Sequence, residues 1–168
     1  MSRLLVGAVV AVALVALVGR GAHRVRLAFN PSPSAPRGWY WVTPTDYPDV
    51  GDFVLARLPR DVASFAADRG YLPASVPVLK QVMATAGHEA CIRNGSVLID
   101  GTARARALGA DARGRSMPVW RHCRKLLPGE LFLLNASSSA SFDSRCFGPL
   151  DRSFVIGKAL PLWTFASP

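Results

Sequence analysis

The sequence predicts a mainly β, antiparallel sheet domain preceded by one N-terminal helix that anchors it in a membrane. Three observations lead there. Short aromatic or β-branched runs bounded by Pro, Gly and Asp recur from residue 39 to residue 163. Helix-compatible patterning after the N-terminus is confined to one short segment near residues 61–70. Before both stands an uncharged apolar run of 16 residues, Leu4 to Gly19.

That run is a little shorter than the ~20 residues that span a bilayer's hydrocarbon core. The following Val18-Gly-Arg-Gly-Ala-His-Arg-Val has no A-x-A cleavage pattern. Residues 1–26 therefore read as a retained signal anchor with a basic flank, and residues 27–168 as one domain of ordinary size. Arg20, Arg24 and Arg26 follow the run and only Arg3 precedes it, a bias that taken alone keeps the domain in the cytoplasm. The motifs below point to the opposite side of the membrane and outweigh it.

Phe29 to Arg37 (FNPSPSAPR) carries three prolines, which deny it a helix and leave its serines on irregular, exposed backbone. WYWV at 39–42 and DFVLARL at 52–58 read as strands. DVASFAADRG, with Asp61 as N-cap and Gly70 as stop, reads as the short helix. VPVLKQVMA at 76–84 is another strand, and Asn94-Gly95 before SVLIDG marks a hairpin. GELFLLN at 129–135 and SFVIGKALPLW at 153–163 supply two more strands.

The net charge of +9 raises nucleic acid as a partner. Its distribution argues against that. Seven of the 20 basic residues fall between Arg104 and Lys125, among Gly and Ala with almost no aromatics for base stacking. Residues 103–125 read as a solvated basic loop insertion, with anionic lipid headgroups as the second reading. Of the three cysteines, Cys91 and Cys123 flank this stretch and would pair in an exported protein, leaving Cys146 free. The alternative is a metal site from His88, Cys91, His122 and Cys123, disfavoured because adjacent side chains rarely reach one ion and no cluster is CxxC. No metal and no cofactor is implied.

None of the three histidines stands in a serine-protease or metalloprotease signature. A lysine stripped of its proton can activate a serine instead, provided burial among apolar groups lowers its pKa. Of the three lysines, Lys80 stands out in the middle of an apolar strand, with Val78 and Val82 on its face.

Three segments together resemble the signal peptidase I family, and more closely its TraF-type branch of conjugal-transfer peptidases. Asn30-Pro-Ser-Pro-Ser34-Ala-Pro-Arg-Gly38-Trp-Tyr40 is similar to that branch's nucleophile box, Leu79-Lys80-Gln-Val82 to its lysine box, and Ser141-Phe-Asp143-Ser-Arg145-Cys-Phe147-Gly-Pro149 to its third box. The boxes stand in family order. The resemblance implies a signal-peptidase-like fold, with Ser34 as nucleophile and Lys80 as general base. It also implies Ser32 in the oxyanion hole, Ser141 orienting the lysine, and Asp143 paired with Arg145 as a brace, with a catalytic part for Asp143 as the alternative. Two departures point away from a general secretory enzyme: Gln81 where an arginine often stands, and Asn135-Ala-Ser-Ser-Ser where housekeeping members open with Gly-Asp-Asn. Cys146 replaces a common aromatic and reads as a structural thiol.

The resemblance further implies a membrane-anchored endopeptidase in the inner membrane with its domain in the periplasm. Its partners would be a membrane-inserted precursor, foremost a conjugative pilin propeptide, and the type IV secretion machinery; nucleic acid is not expected. Hydrolysis and cyclisation of the product both stay open. The other readings are a general signal peptidase and a non-catalytic membrane-surface assembly factor on the same fold. The domain would work at the bilayer surface, because Ser34 lies 15 residues beyond Gly19, a reach of at most about 50 Å.

Overall fold

A computed structural model describes residues 27–165. The expected N-terminal anchor lies outside the described residues, among which no helix is long and apolar enough to cross a membrane. The chain runs β1 (Leu27–Asn30), β2 (Arg37–Thr43), β3 (Phe53–Ala56), helix α1 (Arg60–Asp68), β4 (Val78–Ala84), β5 (Glu89–Arg93), β6 (Ser96–Ile99) and β7 (Thr102–Arg106). It continues through β8 (Cys123–Lys125), β9 (Glu130–Leu134), a one-turn helix α2 (Ser144–Phe147), β10 (Leu150–Asp151) and β11 (Val155–Phe165). The fold is mainly β and antiparallel, as the spacing of the apolar runs predicts.

The strands form two sheets. The larger has the order β1-β2-β11-β3-β4-β9-β10, the smaller β7-β6-β5-β8. The last strand is inserted into the first half of the chain, since β11 pairs with β2 on one side and β3 on the other. Gly38 permits the first contact: its φ is +140°, and a Cβ there would lie 2.1 Å from the Trp163 carbonyl oxygen. Apolar residues from β4, β5, β6 and β9 meet in one cluster that joins the sheets, with Phe132, Leu134, Val97 and Ile99 buried in it. A second cluster, containing Val54, Val82, Leu131 and Leu133, packs under the middle of the larger sheet.

Alternation in β4 decides where Lys80 goes. Val78, Lys80, Val82 and Ala84 occupy the buried positions while Leu79, Gln81 and Met83 are half-buried between them. The Asn94-Gly95 hairpin forms as expected, with positive φ at both residues and Arg93 opposite Ser96.

Some local structure departs from expectation. Asp100-Gly101 makes a second turn of the same kind and adds β7, so part of the basic stretch is strand. Helix α1 starts two residues early: Pro59, not Asp61, is its N-cap, and Asp61 lies in the first turn, where a carboxylate still favours the helix dipole. The expectation of a single helix after the N-terminus missed α2. The Asp143 carboxylate caps it by accepting from the Arg145 amide, in a segment too short to show helical periodicity.

Cys91 and Cys123 are register partners on β5 and β8 and form a disulfide, which takes both sulfurs away from the metal alternative. Their separation of 32 residues sets the expected effect of opening it. Loop-closure entropy gives about 3–4 kcal/mol. The Cys91→Ser/Cys123→Ser chain should be destabilised by that order in denaturant unfolding, and reductant should have no further effect on it.

Candidate active site

Three prolines keep residues 31–36 out of both helix and ladder, and this turn is held from within. The Asn30 amide nitrogen donates to the carbonyls of Ser32 (3.0 Å), Ala35 (3.1 Å) and Pro36 (3.1 Å), while its Oδ1 accepts from the Ser32 amide (3.1 Å). The buried Tyr40 hydroxyl donates to the Pro36 carbonyl at 2.7 Å. Ser34 thus stands half-buried on a rigid turn. Its Oγ is 2.8 Å from Ser32 Oγ, and its amide donates to Ser32 Oγ at 3.2 Å.

Lys80 reaches the same cavity from β4, only 5 % exposed. Its Nζ donates to Ser141 Oγ at 2.6 Å. Burial pushes the ammonium down from 10.5 to about 8; Asp143 pulls it back up and Arg145 presses it down again. Holding a lysine there costs the charged form roughly 3 kcal/mol. At neutral pH an appreciable fraction of Lys80 is a free amine, able to accept a proton.

The segment after β9 surrounds this pair. Asp143, fully buried, accepts from Arg145 Nε and Nη2, each at 2.8 Å. Arg145 also donates to the carbonyls of Ser138 (2.6 Å), Asn135 (3.3 Å) and Arg106 (3.0 Å). The remaining partner of Asp143 is the Asn135 amide at 3.2 Å. Its hydrogen bonds therefore go to Arg145 and to backbone, the geometry of a brace.

The cavity, about 730 Å³, is largely apolar and lined by Ser32, Ser34, Lys80 and Ser141 along with Leu55, Val78 and Phe142. Two features of it were not visible in the sequence. Leu108, Ala110, Asp111 and Met117 line it, so the middle of the basic stretch forms a wall of the site. Asp111 fastens that wall by accepting from the Tyr71 hydroxyl at 2.7 Å and from Arg115 Nε at 2.8 Å; the Tyr71 bond and then Arg115 hold its carboxyl well below the usual range. Arg104, Arg106, Arg113, Arg121 and Lys125 remain exposed. Cys146 also lines the cavity, but burial pushes its thiol up to about 11, leaving almost no thiolate to compete with Ser34.

The structure brings Ser32, Ser34, Lys80, Ser141 and Arg145 to one cavity and places Asp143 directly behind it. Cys91 and Cys123 lie in the smaller sheet. Ser34 Oγ is hydrogen-bonded to Ser32 and, at 3.5 Å, to the Asn135 side chain, while Lys80 bonds to Ser141; both residues line the cavity, and no hydrogen bond joins them. Asn30 and Asn135 are the polar residues whose parts here sequence reasoning missed. Asn30 stands in the nucleophile box, and that position was its only signal.

The sequence from residue 1 to 163 matches the family described as signal peptidase, peptidase S26. A probable conjugal transfer protein TraF from Sinorhizobium fredii is 32% identical over 154 residues, 87% of this chain and 79% of that one. A plasmid transfer protein TraF from Escherichia coli is 29% identical over 159 residues, 89% of each chain. A signal peptidase I from Enterococcus faecalis V583 superposes with a TM-score of 0.40 at 19% identity, over 67% of this chain and 96% of that one.

Removing Arg145 would leave the fully buried Asp143 carboxylate without its partner. Arg145→Ala should lower unfolding stability by about 3–5 kcal/mol. Arg145→Lys should recover only part of it, because an ammonium cannot make the two parallel bonds. Urea titration of the two variants checks both statements.

Proposed function

The chain belongs to the signal peptidase S26 family, a family of serine peptidases, and from that premise we propose that it is a Ser34/Lys80 endopeptidase that matures a membrane-inserted precursor. The observation that carries the reading is Lys80: a buried amine with its pKa brought down to about 8, opening on the cavity that holds Ser34. A binding module has no use for such a lysine.

In this mechanism neutral Lys80 takes the Ser34 hydroxyl proton as Oγ attacks the scissile carbonyl. In the resting arrangement the Ser34 amide and Ser32 Oγ close on each other. An entering carbonyl oxygen draws both donors onto itself, and in comparable sites each donor is worth roughly 3 kcal/mol to the tetrahedral intermediate. Collapse expels the amine, which receives the proton back from the Lys80 ammonium, and leaves an acyl ester on Ser34. Ser141 keeps the Lys80 amine aimed between these steps. Water resolves the ester to a linear product; the substrate's own amino terminus would close a ring.

The substrate proposed is a conjugative pilin precursor serving a type IV secretion system, supported by the conjugal and plasmid transfer relatives. The proposed location is the inner membrane with the domain in the periplasm. The disulfide supports an oxidising compartment. The outer face of β1, β2 and β11 supports contact with lipid. Leu27, Trp41 and Leu160 form one exposed row across the three strands, and Phe29, Trp39 and Trp163 the next. Phe29 also lines the cavity, so the apolar face runs into the site.

Ser34→Ala and Lys80→Ala should each abolish processing of the precursor while the domain stays folded; wild-type cleavage by either would sink the mechanism. In the native enzyme kcat/KM should fall roughly tenfold per pH unit below about 8, where Lys80 is protonated, and level off above it. The product's mass, with or without the loss of one further water, separates ring from linear chain. For the membrane face, brominated lipids should quench the tryptophan fluorescence of the full chain reconstituted in vesicles. Replacing Trp39, Trp41 and Trp163 by Phe should remove that quenching, and a parent protein that is not quenched would refute the contact.

A further inference from the structure

Asn135 stands where β9 parts from β4, and it does more than end a strand. Leu134 is the last β9 residue in register with β4, opposite Gln81. One residue on, the Asn135 side chain takes over the ladder: Oδ1 accepts from the Gln81 amide at 3.2 Å, and Nδ2 donates to the Leu79 carbonyl at 3.1 Å. These partners flank Lys80, and they fix which end of the amide is nitrogen, since one offers a donor and the other an acceptor. Bracing the strand uses one of the two N–H groups. The second is directed at Ser34 Oγ, 3.5 Å away. Asn135 is only 4 % exposed, so water does not compete for it.

We propose that Asn135 is a further catalytic residue, whose side-chain N–H stabilises negative charge on Ser34 Oγ while the rest of the amide holds the Lys80 backbone in place. The inference rests on the Ser34/Lys80 reading above. A hydroxyl has two lone pairs and one proton. Either hydroxyl can donate in the 2.8 Å Ser32–Ser34 contact; when Ser32 donates and Asn135 donates as well, Ser34 Oγ accepts from both, its own proton is left for the lysine, and the O–H electron pair becomes available for attack as that proton leaves. At 3.5 Å the Asn135 bond is weak while Oγ is neutral. It shortens and strengthens as Oγ becomes charged, first during attack and again when Oγ leaves in breakdown of the acyl ester. An interaction stronger in the transition state than in the ground state is what accelerates a reaction.

The test uses the full chain in detergent with an internally quenched peptide carrying alanines before the cut, comparing wild type, Asn135→Ala, Asn135→Asp and Ser34→Ala. Asn135→Ala should lower kcat on the order of 10²-fold with KM little changed. Asn135→Asp keeps the acceptor for Gln81 but replaces the donor with a charge beside the lysine strand. It should be at least as slow and should move the acid limb of the pH profile to higher pH, a shift that loss of bracing does not cause. Asn135→Ala with wild-type kcat, while Ser34→Ala is dead, overturns the role of Asn135 and leaves the Ser/Lys mechanism standing. Asn135→Asp with kcat close to wild type, the acceptor for Gln81 kept and the donor to Ser34 lost, would reduce Asn135 to a brace and also overturn the proposal. Cleavage by Ser34→Ala would remove the mechanism itself, and this inference with it.

Discussion

The bidentate pair between Arg145 and Asp143 is the contact from which the rest of the site is hung. Both side chains are almost fully out of water, where an unmatched charge would be prohibitive, so each holds the other in place. The guanidinium then spends its spare donors on carbonyls at Asn135 and Ser138, before the buried Ser141, and at Arg106 in the smaller sheet. One planar cation thereby fixes the segment that carries Asn135 and Ser141 and ties the two sheets together beside the cavity.

The same pair explains why Lys80 can lose its proton. An isolated Asp143 would attract the lysine's charge and keep the ammonium protonated. Arg145 opposes that pull, and desolvation, the largest influence, decides the outcome. The lowered pKa of Lys80 is thus a product of two things: the strand alternation that buries it and the arginine that opposes the pull of Asp143.

The cavity is shaped by much more than Ser34 and Lys80. The turn bearing Ser34, the chain after α1 and the middle of the basic stretch converge on one apolar cavity, and the Tyr71–Asp111–Arg115 contacts hold the last two together. The exposed rows of aromatic and aliphatic residues on β1, β2 and β11 reach this cavity through Phe29, which belongs to one row and to the lining.

Much of this was legible in the chain by itself. Period-two alternation placed Lys80 on the buried side of its strand, the prolines kept Ser34 off regular structure, and the three boxes singled out residues that the fold brings to one cavity. Those are local properties, carried by residues close together in sequence. The parts of Asn30, Asn135 and the Asp111 wall were not legible, because each depends on what lies opposite in space. Asn135 matters only since β9 pairs with β4 and releases it at Lys80, and Leu108 to Met117 line the cavity only because two sheets meet there. The sequence by itself determined most of the strands and pointed to Ser34 and Lys80 as the proposed nucleophile and base. The tertiary structure alone decided which side chains surround them, because pairing order and sheet packing come from long-range burial that no window of sequence contains.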